Sequence, residues 1–289
     1  MRHVSILCTL VVLLPLGGGA IQAPNPQLGA GKERLPILVQ GAMPVETAQL
    51  VKRLQGVATD TVGGWTFWRG TIDGYPVIVS KTMKGVANAA AATAIAIERY
   101  HPSAIINQGT AGGHDPELHV RDIVLGAYAV SLGGFKTAYR ARGQGSNPVD
   151  WAPMDLLASE GSASLDPAAR TMRRFQANRE LLAAAESVRA QYGKGKVVTG
   201  VIGSSDTWNS EIDRIEHLRR EYHTSVEEME TAAAAQVAGL FQVPFLGIRG
   251  VSNNITNAGA YDAGAGEACQ EYVYLVVMAY IAAVRRGPL

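Results

Sequence analysis

Short apolar runs alternate with helical segments through most of the chain, and this alternation limits its fold more than any other feature. The apolar runs, each typical of a buried strand, lie at 35–39, 75–80, 104–107, 122–130, 196–202, 224–226 and 243–251. Helical segments separate most of them, at 46–54, 86–100, 178–192, 210–222, 230–241 and 266–284. Strands that alternate with helices predict one α/β domain with a largely parallel sheet.

Two glycine signals refine this sheet. Asp73-Gly74 lies between strand-like runs at 65–70 and 75–80, and Asp-Gly is a preferred two-residue connection of antiparallel hairpins. The hairpin therefore predicts a mixed sheet rather than a purely parallel one. The run at 104–107 is followed by Gly-Thr-Ala-Gly-Gly at 109–113, which we interpret as a turn.

The N-terminus is typical of a secretory signal. A short polar start precedes an apolar stretch from Val4 to Leu16, and small residues allow cleavage after Ala20 or Ala23. The stretch is shorter than the roughly 20 residues of a membrane-spanning helix, which disfavours an uncleaved anchor. We expect a periplasmic or secreted protein with no stable membrane insertion after cleavage. The predicted segments are a signal peptide at 1–23, a flexible leader at 24–34 and a folded domain at 35–289.

Composition narrows the partners and the chemistry. Lys and Arg total 26 and Asp and Glu total 25, so the chain lacks the basic excess of a nucleic-acid-binding protein. Signal cleavage would remove Cys8 and leave only Cys269, which excludes an intrachain disulfide. His114 and His119 lie close in sequence with acidic residues between them, and we interpret them as a polar turn. We expect no metal, no cofactor and no nucleic-acid partner.

Glycine-rich and polar motifs follow several of the predicted strands, and ligands of open α/β sheets bind at the carboxyl ends of strands. The motifs are Gly-Ala-Met at 41–43 followed by Glu46, IINQGTAGG at 105–113, VEEME at 226–230, and PFLGIRGVSN at 244–253. In this order they resemble the nucleoside phosphorylase superfamily, and most closely its methylthioadenosine/S-adenosylhomocysteine nucleosidases. The resemblance covers roughly 35–285. It implies a three-layer α/β/α sandwich with a mixed, mostly parallel central sheet, and usually a homodimer.

The resemblance also implies catalytic roles. Glu46 alone would be an ordinary acidic residue in the first turn of a helix. It falls, however, where these nucleosidases hold the carboxylate that activates water. Thr82 falls where the family positions that water, or phosphate in the phosphorylases. Glu230 falls where a carboxylate accepts the ribose 2′- and 3′-hydroxyls and stabilises an oxocarbenium-like sugar.

Other positions are implied as substrate contacts. Met229 would pack on the sugar, and Trp208, which alone would be read as a core aromatic, would stack on the purine. The same resemblance places Gly112, Glu228 and Ser252 in the substrate site. For Glu227, and in part for Glu228, the alternative is an acidic helix start without a ligand. Residues 133–165 form a long excursion that we interpret as an active-site rim, and with 257–262, including Tyr261, they are expected to shape the 5′ pocket.

Asn253 departs from the family pattern, in which most adenine-type enzymes carry an aspartate that protonates purine N7. An amide delivers no proton, but it can donate to N7 and either donate to O6 or accept from an N6 amine. A 6-oxopurine leaves more readily as an anion, so hydrogen bonding could suffice. Futalosine hydrolases, which act on hypoxanthine nucleosides, resemble this Ser-Asn pattern. The identity of the base therefore stays open.

We predict a purine nucleosidase that hydrolyses the N-glycosidic bond of a methylthioadenosine/S-adenosylhomocysteine-type or 6-oxopurine nucleoside. Water would be activated by Glu46, and Asn253 would assist departure of the base. Lys81 and Lys84 lie near Thr82 in sequence but no matching arginine does, which favours water over phosphate. Two alternatives stay open: a phosphate-dependent purine nucleoside phosphorylase, and a non-catalytic nucleoside-binding or storage protein on the same fold.

Overall fold

The computed structural model describes residues 34–157, 171–255 and 258–287. The predicted signal peptide, and all but the last residue of the predicted leader, lie outside the described residues. The strands are β1 (Ile37–Gly41), β2 (Gln55–Val62), β3 (Trp65–Ile72), β4 (Tyr75–Lys81), β5 (Ala104–Gly113), β6 (Ile123–Ser131), β7 (Phe135–Lys136), β8 (Ala152–Pro153), β9 (Arg174–Gln176), β10 (Val197–Ser204), β11 (Thr224–Glu228) and β12 (Phe245–Asn253). The α-helices are α1 (Pro44–Arg53), α2 (Val86–Tyr100), α3 (Arg179–Ser187), α4 (Ile212–Tyr222), α5 (Thr231–Leu240) and α6 (Gly264–Arg286).

The main sheet is mixed, as predicted. Its strand order is β11–β10–β6–β12–β5–β1–β4–β3–β2, and β9 pairs with β6. Parallel pairing joins β10 to both neighbours and connects β12, β5, β1 and β4 in turn. Antiparallel pairing joins β12 to β6 and forms the β2–β3–β4 meander, which includes the predicted hairpin. The strands β12, β5, β1 and β4 at the centre of the sheet are therefore all parallel, as the alternation of strands and helices predicts.

Helices cover both faces of this sheet, which confirms the three-layer sandwich. On one face α6 packs between α1 and α3 over a core of branched and aromatic side chains. On the other face α2 packs against α5, and both helices bury mainly alanines. Alanine allows this close approach because the distance between helix axes depends on the side chains at the contact. Among the described helices only α6 is long and apolar enough to cross a membrane, and half of that apolar window is buried in the core.

Part of the sheet closes into a ring. β5 pairs in parallel with β12, and the last two residues of β5, Gly112 and Gly113, pair antiparallel with Glu227 and Val226 of β11. Since β12, β6, β10 and β11 are themselves consecutive neighbours, five strands form a closed circuit. The carboxyl ends of β5, β11 and β12 consequently meet at one place.

The predicted turn at 109–113 is wrong, because these residues form the second half of β5. Glycine is required there by close packing rather than by turning: a Cβ on Gly109 would lie 2.6 Å from Glu46 Oε1, and one on Gly113 would lie 2.9 Å from Asn254 Nδ2. β2 was not predicted either. It is an edge strand whose side chains are mostly exposed, so it carries no apolar alternation.

Candidate active site

A cavity of about 600 Å³ opens where β5, β11 and β12 end. All but one of the predicted site residues line it: Glu46, Gly112, Trp208, Glu228, Met229, Glu230, Ser252 and Asn253. The exception is Thr82, which is fully buried and does not line the cavity. Its hydroxyl lies 3.1 Å from the carbonyl oxygen of Met83 and 3.4 Å from that of Gly41. The structure thus gathers residues from distant motifs but leaves Thr82 outside the lining.

Glu46 is only 3% exposed, so it is not the solvated first-turn acid that its sequence position alone would indicate. Its Oε2 accepts the backbone amides of Ala42 at 2.9 Å and Met43 at 3.0 Å. Its Oε1 accepts the backbone amide of Thr110 at 2.8 Å and the Thr110 hydroxyl at 3.0 Å. These four donors occupy about all the acceptor positions of a carboxylate and fix its orientation.

Arg249, which sequence reasoning missed, is the largest fully buried side chain among the described residues and is 1% exposed. Its Nη2 lies 2.5 Å from Glu228 Oε2, 2.6 Å from Asn107 Oδ1 and 3.8 Å from Glu230 Oε2. A signal was present, because a charged residue in the middle of an otherwise apolar strand needs a buried partner of opposite charge. Arg249 and Glu228 meet that requirement for each other.

Glu228 and Glu230 have different electrostatic environments. Burial alone would raise the pKa of Glu228, but Arg249, the Ser204 hydroxyl and the Glu230 amide outweigh it, so this pKa lies below its usual value. Burial and then the neighbouring charge of Glu228 raise the pKa of Glu230 to about 8. Among the described residues, the carboxylate of Glu230 accepts one hydrogen bond, from the backbone amide of Gly85 to Oε1 at 2.9 Å. The carboxylate of Glu228 is therefore engaged by protein groups, and its contact with substrate stays a prediction. The carboxylate of Glu230 keeps acceptor positions that a substrate could use.

Glu227 and His114 form a second buried polar cluster beside the cavity. The Nε2 atom of His114 lies 3.0 Å from Glu227 Oε2, and its Nδ1 lies 2.7 Å from the Thr224 hydroxyl. Glu227 also accepts from the Ser205 hydroxyl at 2.9 Å and from Asn209 Nδ2 at 3.1 Å. Both side chains line the cavity. His114, Glu227 and Glu228 are all buried. The predicted polar turn is present from Asp115 to Leu118, directly after His114. The acidic helix-start alternative holds for Glu228, whose carboxylate accepts the backbone amides of Glu230 and Thr231 at the start of α5, and it is wrong for Glu227, whose partners lie in the polar cluster.

Asn253 lies across the end of β5 from this cluster. The Ser252 hydroxyl lies 2.9 Å from Asn253 Oδ1 and 3.2 Å from the carbonyl oxygen of Ala111. A Cβ on Gly112 would lie 3.3 Å from Asn253 Nδ2, so the amide nitrogen faces the surface that Gly112 leaves bare. The side-chain oxygen of Asn253 is consequently engaged by the Ser252 hydroxyl, and its Nδ2 donor lies over Gly112.

Two aromatic side chains lie at the mouth of the cavity. The rings of Trp208 and Tyr261 are 6.0 Å apart and inclined at 59°, and Trp208 is 61% exposed. Trp208 is therefore not a core aromatic, while its stacking on a purine stays a prediction. The described part of the 133–165 excursion lines an adjoining cavity of about 940 Å³, and its last eight residues lie outside the described residues. In the 257–262 segment, Asn257 also lies outside them.

The fold and the site define a member of the phosphorylase superfamily, and a model of that family matches residues 36–281. The chain belongs to this family, as its motifs predict. It is similar to the 5′-methylthioadenosine/S-adenosylhomocysteine nucleosidase of Shewanella piezotolerans, at 32% identity over 232 residues, 79% of this chain and 90% of that protein. The enzyme of the same name from Anoxybacillus flavithermus is 33% identical over 218 residues, 75% of this chain and 84% of that protein.

A solved structure gives the same picture. The crystal structure of a methylthioadenosine/S-adenosylhomocysteine nucleosidase from Colwellia psychrerythraea, in complex with adenine, superposes with a TM-score of 0.68 at 26% identity. The match covers 86% of this chain and 96% of that one. The similarity therefore extends over the whole of the relative's fold and not over one motif.

Proposed function

We propose that this protein hydrolyses the N-glycosidic bond of a purine nucleoside. The observation that carries the proposal is that two buried carboxylates with unlike partners, Glu46 and Glu230, line one cavity. One is held by four donors and the other by a single backbone amide. The similarity to methylthioadenosine/S-adenosylhomocysteine nucleosidases over most of the chain supports hydrolysis as the reaction.

Glu46 is the base that activates water. As the glycosidic bond breaks, its electron pair goes to the purine, water oxygen bonds to C1′, and Glu46 accepts the proton that this water loses. Of the four donors on Glu46, only the Thr110 hydroxyl can turn away without movement of the backbone. Rotation of that hydroxyl frees Oε1, so Oε1 is the oxygen that receives the proton.

Glu230 and Asn253 act on the two halves of the substrate. With one donor on its carboxylate, Glu230 has acceptor positions for the ribose 2′- and 3′-hydroxyls, and its negative charge stabilises the oxocarbenium-like sugar. Met229, which also lines the cavity, provides an apolar surface for the sugar. Asn253 donates a hydrogen bond to the departing purine through Nδ2.

Water is favoured over phosphate as the nucleophile. Phosphate is usually bound by arginine side chains or by free backbone amides. The guanidinium of Arg249 is already engaged by Glu228 and Asn107. Along the described wall of the cavity the remaining basic side chains are Lys84 and His114, and His114 is committed to Glu227.

Product analysis tests the reaction. Purified protein is incubated with inosine, adenosine, methylthioadenosine, S-adenosylhomocysteine and futalosine, with and without phosphate. We expect free base and free ribose, or the free 5′-substituted sugar, at the same rate in both buffers, and loss of turnover in Glu46→Ala. A strict need for phosphate with a sugar 1-phosphate product would identify a phosphorylase. Binding without turnover, unchanged in Glu46→Ala, would identify a non-catalytic protein.

The proposal includes export and self-association. The predicted signal peptide at 1–23 and leader at 24–34 support a periplasmic or secreted enzyme whose folded domain spans 35–289. The family resemblance supports a homodimer. Mass spectrometry of the protein recovered from the periplasm and medium tests cleavage after Ala20 or Ala23. Light scattering during size-exclusion chromatography tests the dimer, and a monomeric mass would contradict it.

A further inference from the structure

Glu227 is a cavity-lining carboxylate to which the proposed reaction assigns no role. Within the described residues its carboxylate has three hydrogen-bond partners: Ser205 and Asn209 donate to it, and Nε2 of His114 lies 3.0 Å from its Oε2. A carboxylate has about four acceptor positions, so one remains for a ligand in the cavity that Glu227 lines. Burial of a carboxylate costs free energy even when it is hydrogen-bonded, and an apolar residue would fill the same strand position without that cost. The cluster therefore indicates a ligand contact rather than a packing requirement.

The strand register gives the position of Glu227 relative to the base-binding amide. Gly112 pairs with Glu227 on one side and with Asn253 on the other. In the antiparallel pair, Glu227 lies directly opposite Gly112 and projects to the same face, at a Cα separation of about 4.5–5.5 Å. Asn253 follows a register shift in the parallel β12–β5 pair, and the 3.3 Å between a Cβ on Gly112 and Asn253 Nδ2 shows that its amide lies on that face too. Glu227 and Asn253 thus flank a surface about 10 Å wide at the level of their Cα atoms, and Gly112 leaves that surface without a side chain. A flat base fits between the two side chains.

The two flanking groups have opposite hydrogen-bonding character. Asn253 offers its Nδ2 donor, because its oxygen faces the Ser252 hydroxyl. Glu227 offers an acceptor. A 6-oxopurine matches both, since N7 and O6 are acceptors and N1 carries a hydrogen. Adenine matches less well, because its N1 is itself an acceptor and would face the carboxylate, which leaves its N6 amine as the one donor on that edge.

We infer that Glu227 is a specificity-determining residue that accepts the N1 hydrogen of a 6-oxopurine, so that the site selects hypoxanthine- or guanine-type nucleosides over adenine-type ones. The inference rests on the proposed function, because it concerns the leaving group of that reaction. His114, Ser205 and Asn209 act as positioning residues that hold the Glu227 carboxylate at the edge of the base.

The test compares inosine with 1-methylinosine, in which a methyl group replaces the N1 hydrogen. In the wild-type protein we expect kcat/KM for inosine to exceed that for 1-methylinosine by about tenfold to a hundredfold, as for loss of one charge-assisted hydrogen bond. Inosine should also exceed adenosine. In Glu227→Met, which keeps the volume and removes the acceptor, the inosine to 1-methylinosine ratio should fall close to unity. Glu227→Gln should be intermediate, because its amide oxygen still accepts a hydrogen bond.

Glu98→Met is the matched control, because it makes the same substitution at an exposed carboxylate of α2 that does not line the cavity. Its ratio should stay close to that of the wild-type protein. Thermal unfolding of each variant establishes that it is folded. Equal rates on inosine and 1-methylinosine in the wild-type protein, or a preference for adenosine, would overturn the inference. An equal loss on every nucleoside in both Glu227 variants would also overturn it, since that is the result of a purely structural role.

Calorimetry with free bases separates this inference from the proposed reaction. Hypoxanthine should bind the wild-type protein more tightly than 1-methylhypoxanthine, by about the same factor as the kinetic ratio, and the two should bind Glu227→Met alike. If no nucleoside is hydrolysed but this binding preference is present, the proposed reaction fails and the inference stands. If nucleosides are hydrolysed but the preference is absent, only the inference fails.

Discussion

The carboxylate of Glu46 packs directly on the backbone of Gly109. A Cβ at position 109 would lie 2.6 Å from Oε1 and 2.8 Å from the carboxyl carbon of Glu46. These distances are too short for any side chain, so the glycine is required by the position of the proposed base. Because Gly109 lies within β5, the strand itself sets the height of Glu46 in the cavity.

Gly109→Ala should therefore inactivate the enzyme while the fold is retained. The added methyl group displaces Glu46 and breaks its bonds to Thr110, and a misplacement of about 1 Å lowers kcat/KM by about a hundredfold. Steady-state kinetics and circular dichroism measure the two effects. The control is Gly239→Ala in α5, where a Cβ meets nothing within 4 Å. Its activity should be unchanged and its stability raised by about 0.5–1 kcal/mol. Wild-type kinetics in Gly109→Ala would contradict the assignment of Glu46.

Ligand binding should release a proton from Glu230. Burial raises the pKa of this residue to about 8, so most of these carboxyl groups are protonated in the free protein at about pH 7. Ribose hydroxyls donate to the ionised form, so they expel the proton. Titration calorimetry with a C-nucleoside, which cannot be hydrolysed, in two buffers of different ionisation enthalpy should give close to one proton released per site. In Glu230→Gln the release should be absent, and its persistence would assign the proton to another group.

The same pKa has a consequence for stability. An acid whose pKa is higher in the folded state holds its proton more tightly there than in the unfolded chain. Its contribution to the free energy of unfolding therefore falls as pH rises from about 4.5 to about 8. Glu230→Gln removes that contribution. We expect the difference in unfolding free energy between the variant and the wild-type protein to move in favour of the variant across this interval, as measured by urea unfolding.

Removal of the buried cation should be strongly destabilising. Arg249→Met leaves Glu228 as a buried carboxylate without its counter-charge, which costs about 3–5 kcal/mol in comparable cases. Arg285→Met, which breaks an exposed pair with Asp73, is the matched control and should cost less than about 1 kcal/mol. Denaturant unfolding measures both. If Arg249→Met were as stable as the control variant, the ion pair between Arg249 and Glu228 would not stabilise the folded protein.

Asn253→Asp should raise turnover of adenine nucleosides. A carboxylic acid at this position can protonate N7, and such proton transfer contributes about a hundredfold or more. The gain should grow as pH falls, because the protonated acid is the active form. Asn253→Ala, which removes the donor altogether, should lower turnover of every purine nucleoside. Unchanged adenosine kinetics in Asn253→Asp would show that the lack of a proton donor at this position does not limit turnover of adenine nucleosides.

Much of the fold follows from local sequence. The helix predicted at 86–100 has the same bounds in the structure, because an alanine-rich run ends before His101, whose backbone is left-handed with a φ of 47°. The second half of β5 could not be predicted in this way. Its glycines have the local pattern of a turn, and only contacts with β12, β11 and Glu46 hold them extended.

The site residues also differ in whether local sequence could identify them. Glu46, Glu230 and Asn253 could be identified because each stands in a short motif at the end of a strand. Arg249 and the cluster of His114 with Glu227 could not. Each of these side chains acquires its partner through pairing of strands that are distant in sequence, so no short segment contains both members.

The two ends of the cavity differ in how readily their shape can change, because one end lies against the closed ring formed by β5, β12, β6, β10 and β11. The end proposed to bind the base is framed by strands that are paired on both sides, so it cannot widen unless backbone hydrogen bonds break. The mouth, with Trp208 and Tyr261, is carried on connecting segments that tolerate altered length. Descendants of this enzyme, natural or engineered, would therefore acquire a new leaving group by point substitution and a new 5′ tail by loop replacement.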